Sequence, residues 1–297
     1  MFAKDLILKI MDLCAVIPDE PYLKFLYFIR MKKPLHLNPP LTLNEKQQWL
    51  KIHDHSTEYS RMVDKLQVRD YISEKVGSDI QIPLLGVWDR AEDIDFEALP
   101  EQFVLKCTHD SGSFIICTDK NSFDKEAAVK KLNKAVKRDF YVSKREWPYK
   151  GLKGKIIAEK YMEDEMEDGS PSGKPLSDYK IFCFNGEPHL VLTIRGGHLD
   201  ESQVMRRFYD EKWNLLPVGL RGKAPVSVPE EKPEQLEEML QLAARLSEGI
   251  PFLRVDFYII NGKVYFGELT FFHMSGCEHF TPEEYDRKFG DMLKLPL

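Results

Sequence analysis

Several features are missing from this sequence. No apolar run reaches the ~20 residues that a membrane-spanning helix needs. The five cysteines, Cys14, Cys107, Cys117, Cys183 and Cys277, are scattered without a CxxC metal spacing. His53, His55, His109, His273 and His279 form no metal spacing either. There is no basic excess: 42 Lys and Arg stand against 48 Asp and Glu, a formal charge of -6. That balance argues against general nucleic-acid binding. No secretory leader and no internal repeat are read, and the odd cysteine count points to reduced thiols in a cytoplasm.

What is present is an ordinary globular composition, 30% charged and 43% hydrophobic over 297 residues, enough for two lobes with real cores. The N-terminal "MFAKDLILKIMDLCAVIP" and "PYLKFLYFIRMKK" read as amphipathic helices, which either cover a core or dock on a membrane-bound partner. "LTLNEKQQWLKIHDH" opens with Thr42 and Glu45 in capping-box spacing, and "VDKLQVRDYISEKVG" closes at Gly77. Residues 1–100 thus read as mostly helical, before a short strand at "IPLLGVW" is counted. Beyond them hairpins alternate with helices, which favours an α+β class over a doubly wound parallel sheet. "EDEMEDGSPSGKP" reads as a solvated loop.

Four stretches carry polar residues where chemistry is possible. In "KCTHDSGSF" a strand ends in Lys106 and a small-residue loop follows. Gly112 permits close backbone approach to a phosphate, and Ser111 and Ser113 add donors. The lysine precedes the loop, unlike the GxxxxGK[ST] pattern, and the plainer reading is a hairpin turn with a surface lysine. In "IIAEKYM", Glu159, Lys160, Tyr161 and Met162 suit a strand-to-linker junction that sandwiches adenine, or else a solvated edge strand. In "SDYKIFCF" alternation puts Asp178 and Lys180 on one face, which Arg195 on the returning strand could join.

The fourth stretch is "RVDFYIINGKVYFGELTFF". Asn261-Gly262 is a strong hairpin signal. Arg254, Asp256 and Glu268 interrupt the apolar runs around it, where buried charge costs several kcal/mol (~3 or more) unless paired or metal-bound. A regular hairpin on a two-residue turn would pair Val255 with Glu268 and place the acids on opposite faces. A three-residue loop, or a bulge near Gly267, restores a common face, and one of these is expected. Two carboxylates and the Thr270 hydroxyl are hard donors suited to Mg²⁺ held together with phosphates. The alternative is a structural ion pair from Arg254 to either acid.

Taken in order, these pieces resemble the ATP-grasp fold, and more closely its TupA-like branch. The likeness is carried by "LTLNEKQQWLKIHD", "DKLQVRDYI", "IPLLGVWD", "LPEQFVLKCTHDSGS", "REWPYK", "IIAEKYM", "SDYKIFCFNGEP", "LRVDFYIINGKVYFGELTF" and "FGDMLKL". The resemblance implies two α+β lobes clasping ATP, about 101–160 and 161–297, after a helical region over 1–100. It implies Lys65 and Lys106 on the ATP phosphates, Ser111-Gly112-Ser113 as a lid, and Glu159 to Met162 as the adenine linker. Asp178 matches a ribose-contacting position, and Lys180 and Arg195 match basic positions near phosphate or acyl substrate. Asp256 and Glu268 match Mg²⁺ carboxylates, and Arg254 the arginine that steadies an acyl phosphate. Thr270 stands where the family commonly has Asn, and "FHMSGCEHF" lacks the proline-glycine turn of the ligases.

The activity so implied is ATP- and Mg²⁺-dependent carboxylate–amine ligation in a cytoplasm. Its substrates would be a small amine and a uronic acid of a cell-surface polysaccharide such as a capsule, with possible peripheral association with membrane-bound polysaccharide machinery. Members are often labelled glycosyltransferases. Phosphotransfer, sugar transfer and a degenerate binding protein are the rival readings, and the loop acids of "DEMED" are a poor site for a nucleotide sugar.

Overall fold

In a computed structural model, the structure describes residues 16–166, 172, 176–196 and 203–296. Cys14, most of the first apolar segment and most of the Gly/Pro/Ser-rich loop lie outside the described residues. Among the described residues no helix is long and apolar enough to cross a membrane. The chain divides into two compact units: one is Ser56–Met162, and the other joins the residues through His55 to Glu163–Leu297. The helical stretch before residue 100 is therefore shared between both.

The first two described helices belong to the larger unit. Helix α1 (Asp19–Met31) buries Tyr22, Leu23, Tyr27 and Met31, and leaves Phe25, Phe28 and Ile29 exposed. Helix α2 (Leu43–His53) begins with a complete capping box: Thr42 Oγ1 accepts from Glu45 N at 3.2 Å, and Thr42 N donates to Glu45 Oε2 at 3.0 Å. One helical face of α2 is wholly buried and polar, with Asn44, Gln48 and Lys51 each 1% exposed.

The smaller unit opens with α3 (Glu58–Val63) and α4 (Val68–Val76), the latter ending at Gly77 with φ 93°. Its sheet is antiparallel, in the order β1 (Leu84–Trp88), β4 (Ile156–Lys160), β2 (Phe103–Cys107), β3 (Ile115–Cys117). Between β3 and β4 the basic segment forms two helices, α5 (Lys125–Val136) and α6 (Phe140–Lys144), because Asp139 interrupts it and caps the second. Phe103, Leu105, Cys107, Ile156 and Ala158 alternate inward and pack with Leu132 of α5.

The larger unit carries a six-stranded antiparallel sheet in the order β10-β9-β5-β6-β7-β8. Its strands are β5 (Ser177–Phe184), β6 (Glu187–Arg195), β7 (Met205–Asp210), β8 (Leu215–Leu216), β9 (Phe252–Ile260) and β10 (Lys263–Thr270). Helix α7 (Leu236–Ser247) covers the face bearing Tyr179, Ile181 and Cys183, and Cys183 Sγ lies 3.7 Å from Ala243 O. On the other face Phe182 meets Phe208 at 5.4 Å between ring centroids, and Phe208 meets Phe289 of α8 (Glu284–Met292) at 5.6 Å. Asn44 of α2 ties that helix down, donating to Asp286 Oδ2 at 2.8 Å.

Two irregularities in this sheet decide which side chains share a face. The β9–β10 hairpin closes with Ile260 opposite Lys263, so the Asn261-Gly262 turn has two residues, both at positive φ. The register then shifts between Phe266 and Glu268, so Gly267 is the extra residue and Glu268 stands opposite Asp256. In the β5–β6 hairpin the register shifts where Phe182 pairs with Leu190 and Cys183 with Pro188, so His189 is extra. One inserted residue moves every later side chain of its strand to the other face.

Candidate functional site

The first polar cluster lies on β5, β9 and β10. Lys180 stands opposite Asp256 on β9, and Asp256 opposite Glu268 on β10. Opposed residues project to one face, and the contacts agree. Lys180 Nζ is 2.5 Å from Asp256 Oδ2 and 2.8 Å from Asp178 Oδ2. Arg254 donates from Nε to Asp256 Oδ1 and from Nη2 to Asp256 Oδ2, both at 2.6 Å, a bidentate pair. Its Nη2 also reaches Glu268 Oε1 at 3.1 Å.

Burial alone would raise the Asp256 carboxyl, but Arg254 and Lys180 outweigh it and hold it below its ordinary value of 3.8. Burial disfavours the charged Lys180 and Arg254, yet Asp256 beside both keeps them firmly protonated. Asp178 goes the other way, pushed up by burial against the pull of Lys180. The cluster is a compact, charge-alternating strip. Glu268 is its open end, with a side chain 43% exposed against 2% for Asp256.

Arg195 does not join this strip, which corrects the sequence expectation. A regular β5–β6 hairpin would place it on the Asp178 face. The extra residue His189 turns it to the α7 face, level with Thr193 and Tyr179. There its guanidinium sits 4.7 Å from the Tyr179 ring centroid and 2.8 Å from Glu230 Oε2, which Arg207 also holds at 2.5 Å through Oε1.

The smaller unit carries a second cluster. Lys106, on β2, is 2.5 Å from Glu159 Oε2 on β4, and Arg69 is 3.8 Å from Glu159 Oε1. Glu159 is thus a buried strand residue that partners the lysine, and the linker proper begins after Lys160 at the end of β4. Tyr161 and Met162 follow it, both half-buried. Lys65 Nζ donates to Asp110 O, and Lys65 N donates to Thr108 O at 2.9 Å, which seats Lys65 on the loop after β2. In that loop Ser111 and Gly112 are exposed, Gly112 at φ 96°. Ser113 is buried; it donates to Asp110 Oδ1 and accepts from Cys107 N at 3.3 Å.

The donor chemistry of the first cluster fits Mg²⁺. Asp256 and Glu268 bring carboxylates from adjacent strands, and the Thr270 hydroxyl is 3.3 Å from Glu268 Oε1. Among the described residues no three His, Cys, Asp or Glu side chains form a cage. Two carboxylates and a hydroxyl suit an ion that takes its other ligands from phosphates and water.

The sequence reading missed His273 and Glu278. His273 Nδ1 accepts from Arg254 Nη1 at 3.0 Å, and His273 Nε2 lies 3.4 Å from Glu278 Oε2, with both residues buried. Burial holds the imidazole below its ordinary value. The signal available was the trio His273, Glu278 and His279 in "FFHMSGCEHF", a segment otherwise reading as core.

The two antiparallel sheets, the lysine-bearing strand and loop in one unit and the paired carboxylates in the other define the ATP-grasp class of fold. Residues 45–294 match the family model described as TupA-like ATPgrasp, and the chain belongs to that family. No curated protein matches the sequence. Among solved structures it is similar to D-alanine–D-alanine ligase from Bacillus anthracis complexed with ATP, at 16% identity and TM-score 0.45, covering 86% of this chain and 68% of that one. It is also similar to L-amino acid ligase from Bacillus licheniformis, at 14% identity and TM-score 0.44, covering 76% of this chain and 47% of that one. The ATP-grasp ligase PsnB complexed with a phosphomimetic precursor variant, Mg and ADP shows 11% identity and TM-score 0.44, with 83% and 64% covered. The chain spans less than two thirds of the length of the latter two.

Proposed function

We propose that this protein is an ATP- and Mg²⁺-dependent carboxylate–amine ligase. The family membership supports that reading, and one observation carries it: the bulge at Gly267 sets Glu268 opposite Asp256, with Arg254 and Lys180 on the same face. A hairpin built only for stability has no need of four charged side chains on one strip. Asp256 and Glu268 would hold the ion, with Thr270 beside them. When bound, Mg²⁺ supplies charge neutralisation on the phosphates.

The chain's own residues would do the following. Lys65 and Lys106 in the smaller unit would bind phosphate oxygens, with the exposed Ser111-Gly112 backbone covering them. Tyr161 and Met162 would flank adenine, and Asp178 would accept from ribose. The substrate carboxylate would attack the γ-phosphorus, breaking its bond to the β,γ-bridging oxygen so that ADP leaves, and Arg254 and Lys180 would stabilise charge on the transferring phosphoryl oxygens. The acyl phosphate that results is then attacked by an amine, giving an amide and phosphate. No protein nucleophile is required, so positioning and electrostatics account for the rate.

The family likeness favours a uronic acid of a cell-surface polysaccharide as the carboxylate and an amino acid or small amine as its partner. A cytoplasmic location, where ATP is supplied, goes with this reading, as does peripheral association with membrane-bound polysaccharide machinery. The test is ADP release on adding a uronic acid, an amine and Mg·ATP, followed by mass spectrometry of the product. A mass gain by condensation supports the ligase. A phosphate gain identifies a phosphotransferase, and dependence on a nucleotide sugar identifies a transferase.

A further inference from the structure

The guanidinium of Arg254 is held on two sides. Asp256 takes Nε and Nη2, Glu268 also takes Nη2, and Nη1 donates to His273 Nδ1. An arginine is a donor only, so the Nδ1 that accepts from it carries no proton. A neutral imidazole in this pose must carry its proton on Nε2; Glu278 Oε2 lies 3.4 Å away, at ion-pair distance but without hydrogen-bond geometry. The other oxygen of Glu278 accepts from the backbone N–H of Arg221 and of His279, both at 2.9 Å. Glu278 is therefore fixed from behind.

The backbone that presents His273 is strained. Met274 at φ 49° and Ser275 at φ 58° both occupy the left-handed region, followed by Gly276 at φ 65°. Two consecutive non-glycine residues there are disfavoured and need outside support. That support comes from the buried polar face of α2. Gln48 Nε2 donates to Ser275 O and Gly276 O, both at 2.8 Å, and Lys51 Nζ donates to Ser275 O at 2.9 Å and Ser275 Oγ at 2.8 Å. A fully buried lysine is an expensive device for holding a turn unless the turn's conformation matters.

We propose that His273, oriented by Glu278, is a positioning residue that fixes the Arg254 guanidinium for its work at the candidate site. The proposal rests on the ligase reading for what Arg254 does, but not for how Arg254 is held. His273 supplies the acceptor that pins Nη1, so that Nη2 stays between Asp256 and Glu268. Glu278 sets a carboxylate 3.4 Å from Nε2, whose charge favours the imidazole proton there and leaves Nδ1 free to accept. Such outer partners commonly change activity by about 10- to 100-fold when removed.

The test uses the full chain labelled with ¹⁵N in histidine and arginine. Three variants separate the contacts: His273→Leu removes both, His273→Asn keeps a carbonyl acceptor in the place of Nδ1, and Glu278→Gln keeps shape and backbone contacts. In the wild type the imidazole spectrum shows His273 neutral and protonated on Nε2. Solvent exchange of the Arg254 Nη1–H quickens by about fivefold in His273→Leu, the value of roughly one hydrogen bond, and returns toward wild type in His273→Asn. In the turnover assay His273→Leu lowers kcat by about 10- to 100-fold with KM for ATP within about threefold, and His273→Asn recovers most of it.

A proton found on Nδ1, or Arg254 exchange that is the same in His273→Leu and wild type, overturns the proposal. If His273→Leu does not fold, the same two outcomes are read from Glu278→Gln, which must quicken Arg254 exchange. If the wild type turns over no ATP with any carboxylate tried, the ligase reading fails on its own, and the tautomer and exchange measurements still decide whether His273 positions Arg254.

Discussion

Glu268 stands directly opposite Asp256 on the β9–β10 ladder, and it does so only because Gly267 is bulged out of register. Without the bulge the two-residue turn would pair Glu268 with Val255 and bury a carboxylate under α7. A Cβ at position 267 would lie 3.0 Å from the backbone oxygen of Asp256 and 3.1 Å from Tyr258 Cε2. Glycine is the residue that lets the bulge close.

Gly267→Val is therefore expected to lower stability by about 1–3 kcal/mol, the usual range for an overpacked site. It is also expected to cut ATP turnover by about 100-fold, because Glu268 moves relative to Asp256. Urea denaturation and ADP release check the two parts.

Glu268→Gln and Lys106→Ala should each lower ATP turnover by at least about 100-fold while leaving the fold intact. Their side chains are 43% and 27% exposed, so neither change opens a core cavity. Circular dichroism and a thermal melt confirm the fold, and ADP release measures the loss.

Asp256→Asn should destabilise the protein by about 3 kcal/mol at neutral pH, because the buried Arg254 and Lys180 lose their shared partner. The sign of the pH dependence follows from the depressed Asp256 carboxyl. A lowered folded value contributes stability above the ordinary value of 3.8, and that contribution is lost as pH falls through the folded value. The gap between wild type and variant should thus be full at pH ~7 and shrink below pH ~4. Denaturant midpoints measured across that range read it directly.

Arg195→Ala should leave kcat and KM within about threefold of wild type, since the side chain lies on the α7 face and reaches only the backbone carbonyl of Asp178, at 3.5 Å, not the carboxylate or Lys180 Nζ. It should cost about 1 kcal/mol of stability through the partly exposed Glu230 pair and the Tyr179 contact. A large loss of turnover with unchanged stability would restore Arg195 to the reaction.

These two hairpins show how far the sequence could be read. Asn261-Gly262 announced the turn of the β9–β10 hairpin, and Thr42 with Glu45 announced the start of α2. The requirement that Asp256 and Glu268 share a face pointed to either a three-residue loop or a bulge near Gly267, and the structure has the bulge. Nothing comparable marked His189. It is an unremarkable residue in a β-strand, and the register shift beside it depends on how β6 fits β5 and β7 together. The face of Arg195 was therefore not legible. His273 was missed for a similar reason: its role depends on a left-handed turn held by Gln48 and Lys51, some 220 residues earlier in the chain. Short-range patterns disclose turns and caps, whereas bulges and clamps are settled by tertiary packing.

The most direct test of the account is calorimetric titration of ATP into the wild type and Glu268→Gln, with and without Mg²⁺. The account predicts that Mg²⁺ strengthens ATP binding by at least about tenfold in the wild type and that Glu268→Gln loses this gain. Equal binding with and without Mg²⁺, or an undiminished Mg²⁺ effect in Glu268→Gln, would contradict it.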